Sequence, residues 1–454
     1  MAGYPGMNMD PNSSASGFER LTVYGFRQFG LVDIDLSSRL TVLTGANGAG
    51  KTTLLGILGQ HFSWHSTLLA GPKSGRHSAD LYSLDVRNLD PQYLDRLAGE
   101  LSPERLAEFL QLLNRRPGTD YYQGIPQRAV GELKYAHGGV SQLLVPEASY
   151  SIQYSLSINP QLGVTGLYLG SHRTASIYQP VTSIPAEFAQ ADQILAEYIN
   201  EIRSFFTGGR SEKSSMLRMK EALLAAAVYG EGNSAVRPDP QAEKVWSGFQ
   251  KVLKLILPES LGFQELRADP PEIVLETSSG QFTIDSISGG MSALFELAWQ
   301  IHLRSSGSEE FTVCFDEPEN HLHPSLQRTL IPSLLEAFPR VKFIVATHSP
   351  FIVTASRDAR VFVLKYNDER LVDSVELDFD NKAQSAEATL TQVLDLPSTT
   401  PVWADDEFDS IMESYLSRPI TPEAVRRLKE ELISRGLKSS VPLGINRFLG
   451  EGDK

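Results

Sequence analysis

The sequence predicts an α/β fold built on a parallel sheet that is flanked by helices. Three short apolar runs carry this prediction, at residues 41–44, 311–315 and 341–346. The first run leads directly into a glycine-rich turn and a helical pattern, and the other two end at polar residues. Runs without alternation are typical of parallel strands, because helices cover both faces of such sheets. The three runs are therefore expected to lie side by side in one sheet.

The glycine-rich turn, residues 45–52, fits the pattern G-x-x-x-x-G-K-[ST]. In such a turn the glycines let backbone N–H groups surround phosphate oxygens, the lysine reaches the outer phosphates, and the hydroxyl can ligate Mg²⁺. The helix that follows directs its positive end at the same anion. The sequence therefore predicts a nucleotide phosphate site. Its predicted residues are Gly45, Ala46, Asn47, Gly48, Ala49, Gly50, Lys51, Thr52 and Thr53.

Composition and charge narrow the class of protein. The chain has 454 residues, 41% of them hydrophobic, and no apolar run approaches the ~20 residues of a membrane-spanning helix. Its single cysteine, Cys314, excludes an internal disulfide, fits a reducing cytoplasm, and is expected to be a small buried residue. The net charge of −14 argues against attraction of the whole surface to nucleic acid, although a local basic groove remains compatible with it.

The organisation along the chain follows from its patterns. Residues 1–18 are small and polar, which predicts a flexible leader and not a signal peptide. The main domain is expected to span residues 19–366, starting with two strands of alternating polarity. An inserted lobe at about 71–260 should contain an antiparallel meander followed by helices.

The last segment, residues 367–454, is rich in acidic residues and is expected to be a docking extension. Thr421 and Pro422 predict the start of a helix there. An apolar stripe of Val425, Leu428 and Leu432 follows at helical spacing, and it would either pack on the main domain or receive a partner.

Three further motifs follow the glycine-rich turn: Ser288-Gly289-Gly290, Asp316-Glu317, and His348 after the last apolar run. Their order and chemistry resemble the ABC-type ATPase head of the RecF, SMC and overcoming-lysogenization groups, over about residues 19–363. The resemblance implies a P-loop NTPase fold of the ABC-ATPase head type, with an antiparallel β subdomain, an inserted helical lobe and a short C-terminal extension. It also implies ATP and Mg²⁺ as ligands.

The resemblance assigns a role to each motif. Thr52 and Asp316 would hold Mg²⁺, and Glu317 would orient and deprotonate the attacking water. The triplet Ser288-Gly289-Gly290 would contact the γ-phosphate held by a second subunit, which implies a head-to-tail dimer or a larger ring. His348 would contact the γ-phosphate as a switch histidine. The alternatives are an ordinary helix-start loop at residues 288–290 and a structural histidine at the end of a strand.

A narrower resemblance rests on residues 171–173, 316–324 and 347–350. These segments look like those of prokaryotic stand-alone ATPases, and the layout is similar to the ATPase subunits of two-component phage-defence systems of the Septu and PARIS types. This implies a partner effector, a nuclease or toxin. It also places His172 or Arg173 near the metal or the γ-phosphate, with a structural salt bridge as the alternative.

A second hypothesis is a DNA-repair clamp of the RecF type. The basic residues Arg210, Lys213, Arg218 and Lys220 would then line a contact with duplex DNA, whereas the simpler interpretation is a solvated helix face. Similarly, the acidic residues Glu376, Asp378 and Asp380 alternate along one strand, as nuclease metal ligands can. We expect them to form a solvated edge instead.

Overall fold

The computed structural model separates the chain into two compact units, residues Met1–Ala386 and Glu387–Lys454. Among the described residues, none of the helices combines the length and the apolar character that a membrane span requires. The described residues are 17–65, 67–70, 91–114, 121–122, 125–147, 152–171, 178–206, 213–232, 234, 236–308, 310–378, 385–393, 398, 400–417 and 419–450.

Seventeen strands are described in the first unit, twelve of which form one large sheet in the order β10-β14-β15-β3-β16-β17-β2-β1-β6-β7-β9, with β5 beside β6. Their bounds are β1 Phe18–Phe26, β2 Phe29–Asp35, β3 Leu40–Gly45, β4 Leu68–Leu69, β5 Tyr121–Tyr122, β6 Ile125–Tyr135, β7 Val140–Pro146, β8 Gln153–Tyr154, β9 Ser157–Asn159, β10 Gly166–Leu169, β11 Phe263–Asp269, β12 Glu272–Thr277, β13 Gly280–Thr283, β14 Thr312–Asp316, β15 Lys342–Ala346, β16 Arg360–Tyr366 and β17 Val372–Glu376.

Nine α-helices are described in the first unit between β1 and β16, besides several short 3-10 turns. Their bounds are α1 Lys51–Gly59, α2 Pro91–Glu100, α3 Pro103–Asn114, α4 Ala191–Phe206, α5 Ser215–Gly230, α6 Pro240–Ile256, α7 Gly289–Gly307, α8 Pro324–Ala337 and α9 Pro350–Val353.

The parallel half of the large sheet contains the three apolar runs. β14 pairs with β15, and β15 pairs with β3, all in parallel. Every residue of β14 is buried, including Cys314, as expected for a strand covered on both faces. The register places Asp316 beside Ala346 and Ala346 beside Leu43. The residues that follow these three strands therefore meet at one edge of the sheet.

The antiparallel half contains β1, β2, β6, β7 and β9. The predicted leader ends earlier than expected, because Phe18 already belongs to β1 and is 1% exposed. The meander predicted inside the inserted lobe is also part of the large sheet, since β6 pairs with β1 and β7 pairs with β6. The predicted α/β class, with its antiparallel β subdomain, is confirmed.

The insertion contains the helices α2 to α6, of which α4, α5 and α6 follow the meander. α5 packs on α6, and α6 packs on α7, the helix that begins at the Ser-Gly-Gly motif. Burial of Phe249 against Trp299, with ring centroids 5.0 Å apart, joins α6 to α7. The inserted helices are therefore continuous with the core that supports this motif. A three-stranded antiparallel sheet, β11-β12-β13, follows α6 in the chain.

The boundary of the C-terminal extension lies later than the predicted residue 367. β17 pairs with β16 in antiparallel fashion and meets β2, and the backbone N–H of Leu31 donates to the Asp373 carboxylate at 3.0 Å. These contacts between distant parts of the sequence make β17 a strand of the main sheet. The compact C-terminal unit begins at Glu387.

The C-terminal unit contains three longer helices, α10 Val402–Leu416, α11 Pro422–Ser434 and α12 Val441–Leu449. The predicted helix start is confirmed, because the Thr421 side chain caps α11 by accepting from the N–H of Ala424. Leu428 and Leu432 are 0% exposed and pack in this unit's own core, with Val425 partly buried beside them. The predicted stripe is therefore internal to the extension.

Candidate functional site at the carboxyl edge of the parallel strands

The phosphate loop connects β3 to α1 and is held against neighbouring backbone. A Cβ added to Gly45, which has φ +135°, would lie 2.3 Å from the carbonyl oxygen of Leu364 on β16. Gly50, with φ +94°, caps α1 in the left-handed region that favours glycine. Ala46, Asn47 and Gly48 are exposed between these two points. The loop therefore presents its backbone to solvent while both of its ends are fixed.

Lys51 is buried at the start of α1, with 6% of the residue exposed. Its Nζ donates to the carbonyl oxygens of Gly45 and Ala46, each at 3.0 Å. Burial lowers the pKa of Lys51 to about 8, although Glu317 and Asp316 oppose this shift. No carboxylate lies within ion-pair distance of this Nζ in the described part of the chain. The lysine is thus a desolvated cation held by its own loop.

Thr52 and Asp316 are in direct contact. The Thr52 hydroxyl lies 3.1 Å and 3.0 Å from the two Asp316 carboxylate oxygens. Burial raises the pKa of Asp316 to about 6, against the hydrogen bond from Thr52. A nearby divalent cation would favour the ionised carboxylate. Hydroxyl and carboxylate oxygens are ligands that Mg²⁺ accepts, and Mg²⁺ usually takes few protein ligands besides substrate phosphates. This donor pair fits Mg²⁺.

Among the described residues, no group of three or more His, Cys, Asp or Glu side chains converges as a metal site. A Mg²⁺ ion that is shared between Thr52, Asp316 and nucleotide phosphates requires no such group.

Glu317 follows β14 at φ +47°, a left-handed conformation that non-glycine residues rarely adopt. Its Oε2 accepts a hydrogen bond from Nδ2 of Asn320 at 2.8 Å. Its Oε1 lies 3.9 Å from Nε2 of His348. Burial, and then the Lys51 cation, lower the pKa of His348, so the neutral imidazole is favoured opposite this carboxylate. Two residues predicted to act on the γ-phosphate and the water therefore face each other.

Glu319 fixes the turn that carries His348. Its Oε1 accepts hydrogen bonds from the Thr347 hydroxyl at 2.6 Å and from the backbone N–H groups of His348 and Ser349 at 2.8 and 3.1 Å. The Thr44 hydroxyl donates to the carbonyl of Thr347 at 3.0 Å, which joins this turn to the phosphate-loop strand. The backbone around His348 is therefore anchored to the two neighbouring strand ends.

The Ser-Gly-Gly motif lies at the start of α7. Ser288 and Gly289 are exposed, and the Ser288 side chain makes no capping hydrogen bond to its own helix. A Cβ added to Gly290 would lie 2.7 Å from the carbonyl oxygen of His321, so α7 begins against the loop that follows Glu317. Ser288 and Gly289 at this helix start are therefore accessible to solvent. No hydrogen bond joins the Ser288 side chain to the phosphate loop within the described residues.

The basic residues of the DNA hypothesis do not form an open patch. Lys220 is 0% exposed and Arg218 pairs with Glu201 at 2.9 Å. Lys213 pairs with Glu221 at 2.7 Å, while Arg210 lies outside the described residues. A buried lysine cannot line a duplex contact, so this part of the hypothesis is wrong for Lys220.

Three other predicted residues, His172, Arg173 and Asp380, lie outside the described residues. Glu376 receives two hydrogen bonds from Arg360, at 2.8 and 2.7 Å, and is a structural partner on β17.

Sequence reasoning missed several residues that support the site: Thr44, Glu319 and Asn320. Glu319 and Asn320 stand inside the Asp-Glu-Pro-Glu-Asn run that carried the family resemblance, and their type and position were the available signal. What the sequence could not supply was the direction of each side chain.

Two family models match separate segments of the chain. A model described as "AAA domain" matches residues 20–78, and one described as "AAA domain, putative AbiEii toxin, Type IV TA system" matches residues 254–354. The first segment contains the phosphate loop. The second contains the motifs at residues 288–290, 316–317 and 348. The chain resembles the ABC-type AAA ATPases.

Individual proteins show the same likeness. The chain is 19% identical over 447 residues to the "Retron Vc95 probable ATPase" of Vibrio cholerae serotype O1 biovar El Tor, covering 89% of this chain and 84% of the relative. It is 28% identical over 194 residues to the "Septu protein PtuA" of Bacillus mycoides (strain KBAB4), covering 40% of this chain. That match spans only 26% of the length of PtuA.

Among solved structures, the SMC head domain from Thermotoga maritima aligns with a TM-score of 0.37 at 14% identity. The alignment covers 80% of this chain and 99% of that head domain.

Proposed function

We propose that the protein binds and hydrolyses ATP with Mg²⁺, and that ATP-bound copies associate head to tail. The observation that carries this proposal is the direct contact of Thr52 with Asp316 beside Lys51, at the edge where Glu317 faces His348. Phosphoryl transfer needs phosphate clamps, a metal site and a group that orients water. The chain's candidates for these three tasks come from neighbouring strand ends.

Each side chain has a defined task in this proposal. The exposed backbone of residues 46–48 and the Lys51 ammonium bind the phosphates, and the phosphates replace the loop carbonyls as partners of Nζ. Mg²⁺, when bound by Thr52, Asp316 and the phosphates, neutralises charge that develops during transfer. The Glu317 carboxylate accepts the proton of the attacking water. His348 donates a hydrogen bond to the γ-phosphate from its neutral imidazole.

The second half of the site comes from another copy. Ser288 and Gly289 are accessible to solvent, and the Ser288 side chain makes no capping bond to its own helix, which leaves this helix start available for a γ-phosphate on a second subunit. In this arrangement ATP joins two protomers, and hydrolysis releases them. A larger ring built from such dimers is the alternative assembly.

We propose further that this cycle gates an effector subunit, a nuclease or toxin, in phage defence. The support is the likeness to a Septu protein and to a retron ATPase, together with the family resemblance of the motifs. The C-terminal unit would dock this partner. It exposes large apolar side chains, with Trp403 60% and Leu443 61% exposed, although its predicted stripe forms its own core.

The test is Glu317→Gln, alone and combined with Ser288→Arg. Glutamine keeps the shape of the side chain but cannot accept the proton, so turnover should fall ~10²- to 10⁴-fold while ATP binding survives. ATP·Mg²⁺ should then hold the single mutant as a stable assembly, and the double mutant should remain a monomer. The measurements are the ATPase rate and the molecular mass with and without ATP·Mg²⁺.

A matched control is Glu317→Gln with Ser434→Arg, which places an arginine on an exposed residue at the end of α11. This control should assemble like the single mutant. Wild-type turnover in Glu317→Gln would contradict the hydrolytic site. Equal masses with and without ATP in every sample would contradict the proposed association.

A further inference from the structure

We propose that Asn320 is a positioning residue that holds the Glu317 carboxylate in its working orientation and is itself anchored by the carbonyl of Ser171. This inference rests on the proposed function, because it assigns Glu317 the role of the base. It goes beyond that function by naming the group that fixes the base, and by connecting the base to the end of β10.

The contacts use the whole donor capacity of the Asn320 amide. Its Nδ2 donates to Oε2 of Glu317 at 2.8 Å and to the carbonyl oxygen of Ser171 at 3.0 Å. Because a side-chain amide nitrogen carries two N–H donors, both are engaged. Both partners are acceptors, so only the amide nitrogen, and not its oxygen, can face them. The orientation of the Asn320 side chain is thus determined by chemistry.

The backbone reinforces the same geometry. The N–H of Asn320 donates to the carbonyl of Glu317 at 3.1 Å, which closes the tight turn that follows β14. Glu317 sits at φ +47° in this turn. A residue in that region persists only where its surroundings hold it. The Asn320 side chain and backbone supply two of the contacts that hold it.

Fixing one carboxylate oxygen defines the task of the other. With Oε2 held by Asn320, the plane of the carboxylate is set, and Oε1 points toward His348 at 3.9 Å. This is the oxygen that remains for a water beside the γ-phosphate. A base that must act on one water gains from such pre-positioning, since a small misplacement of a reacting group costs a large part of the rate.

The anchor at Ser171 gives the arrangement a second property. Ser171 follows β10, a strand of the insertion that pairs with β14 in parallel. Asn320 therefore joins the loop of the base to the end of this neighbouring strand. A shift of the Ser171 carbonyl would remove one of the two bonds that orient the amide.

The experiment compares Asn320→Ala and Asn320→Asp with wild type, each also in the Glu317→Gln background. Alanine removes the bond together with side-chain volume, whereas aspartate keeps nearly the shape of asparagine but replaces the donor by a second carboxylate that repels Glu317. A loss of rate common to both variants therefore reports loss of the bond. We expect kcat to fall 10- to 100-fold, with KM for ATP and nucleotide affinity unchanged within about twofold. In the Glu317→Gln background the same changes should lower turnover less than twofold further.

A second readout does not depend on turnover. If hydrolysis is slowed at the base, Asn320→Ala should accumulate the ATP-stabilised assembly expected for Glu317→Gln, visible as a higher mass with ATP·Mg²⁺. The control is Asn446→Ala, on an exposed asparagine of α12, which should change neither rate nor mass. Cooperative thermal unfolding of both Asn320 variants above the assay temperature excludes a folding defect.

The outcomes separate the two proposals. A wild-type rate in Asn320→Ala together with a large loss in Glu317→Gln would overturn the positioning role alone. So would a loss in the double mutant equal to the product of the two single losses, or a raised KM with unchanged kcat. A wild-type rate in Glu317→Gln would overturn the base and, with it, the role of Asn320.

Discussion

The phosphate loop and the inserted helices each bury a lysine, and the two charges are balanced in different ways. Within the described part of the chain, the Nζ of Lys51, a residue 6% exposed, is bonded only to the carbonyls of its own loop. Lys220, 0% exposed on α5, donates to Asp285 at 2.8 Å and to Glu272 at 3.2 Å. It also lies 4.9 Å from the ring centroid of Tyr178.

From this difference we expect Lys51 to be a cation that binds a ligand and Lys220 to be a cation that stabilises the fold. A buried charge without a fixed counter-charge is costly, and the lowered pKa of Lys51, about 8, reflects that cost. In the proposed function, phosphates bound by the loop would supply the missing partner. Lys220 has two carboxylates built into the chain, one of them on the 3-10 turn that precedes Ser288. Its ion pair with Asp285 joins the inserted helices to the 3-10 turn that precedes the Ser-Gly-Gly motif.

The largest effect is expected for Lys220→Met. Removing this cation leaves the Asp285 carboxylate, 6% exposed, without its cation, while Glu272 keeps the hydrogen bond from Tyr178. The free energy of unfolding should fall by about 3 to 5 kcal/mol. Urea unfolding measures the loss. Adding Glu272→Gln and Asp285→Asn should restore most of the stability, since no uncompensated charge then remains. Stability equal to wild type in the single mutant would contradict the comparison.

Lys51→Met should show the opposite pattern. ATP affinity should fall by roughly 10²-fold, about 3 kcal/mol, because a charge-assisted contact to phosphate is lost. The free energy of unfolding should be unchanged or higher, because a desolvated ammonium has been replaced by an apolar side chain. Calorimetric titration with ATP and urea unfolding measure the two quantities. Lys429→Met, on an exposed lysine of α11, is the control.

A result in which Lys51→Met unfolds as readily as Lys220→Met would show that both lysines are structural. A result in which it binds ATP normally would remove the lysine from the phosphate site.

The smallest effect is expected for Arg218→Ala, on the same helix as Lys220. Arg218 pairs with Glu201 at 2.9 Å but remains 30% exposed at its side chain. Partly solvated ion pairs contribute ~0.2 to 1 kcal/mol to stability. The free energy of unfolding should therefore change by less than about 1 kcal/mol, and the affinity for ATP should not change. A loss of stability as large as that of Lys220→Met would mean that the position on α5, and not burial of the charge, determines the fall in the free energy of unfolding.

The sequence predicted the parts of the fold and of the site that depend on local pattern. The apolar run of β14, the glycines around Lys51 and the Thr421 cap of α11 each act through neighbours in the chain, so their residue types are informative. The parallel order of β14, β15 and β3 then brings Asp316 and Thr52 together without further information.

The sequence alone could not predict contacts between segments that are distant in the chain. Lys220 lies two positions after the partly exposed Arg218 on α5, and its acceptors are 52 and 65 positions away in the sequence. No local pattern reveals that the three side chains share a buried space. The same holds for β17, whose Asp373 accepts from Leu31 across 342 positions. The solvated edge was predicted for residues 376–380, whereas β17 ends at Glu376 and lies beside β2.

The backbone conformation of Glu317 affects how the thermal stability of this protein can be increased. A left-handed glutamate costs of order 1 kcal/mol, and glycine or asparagine would occupy φ +47° with less strain. Selection for thermal stability alone would therefore favour replacing the one side chain on which the proposed chemistry depends. Position 317 is a site where stability and activity oppose each other, and an engineered thermostable variant would keep the glutamate and gain its stability elsewhere.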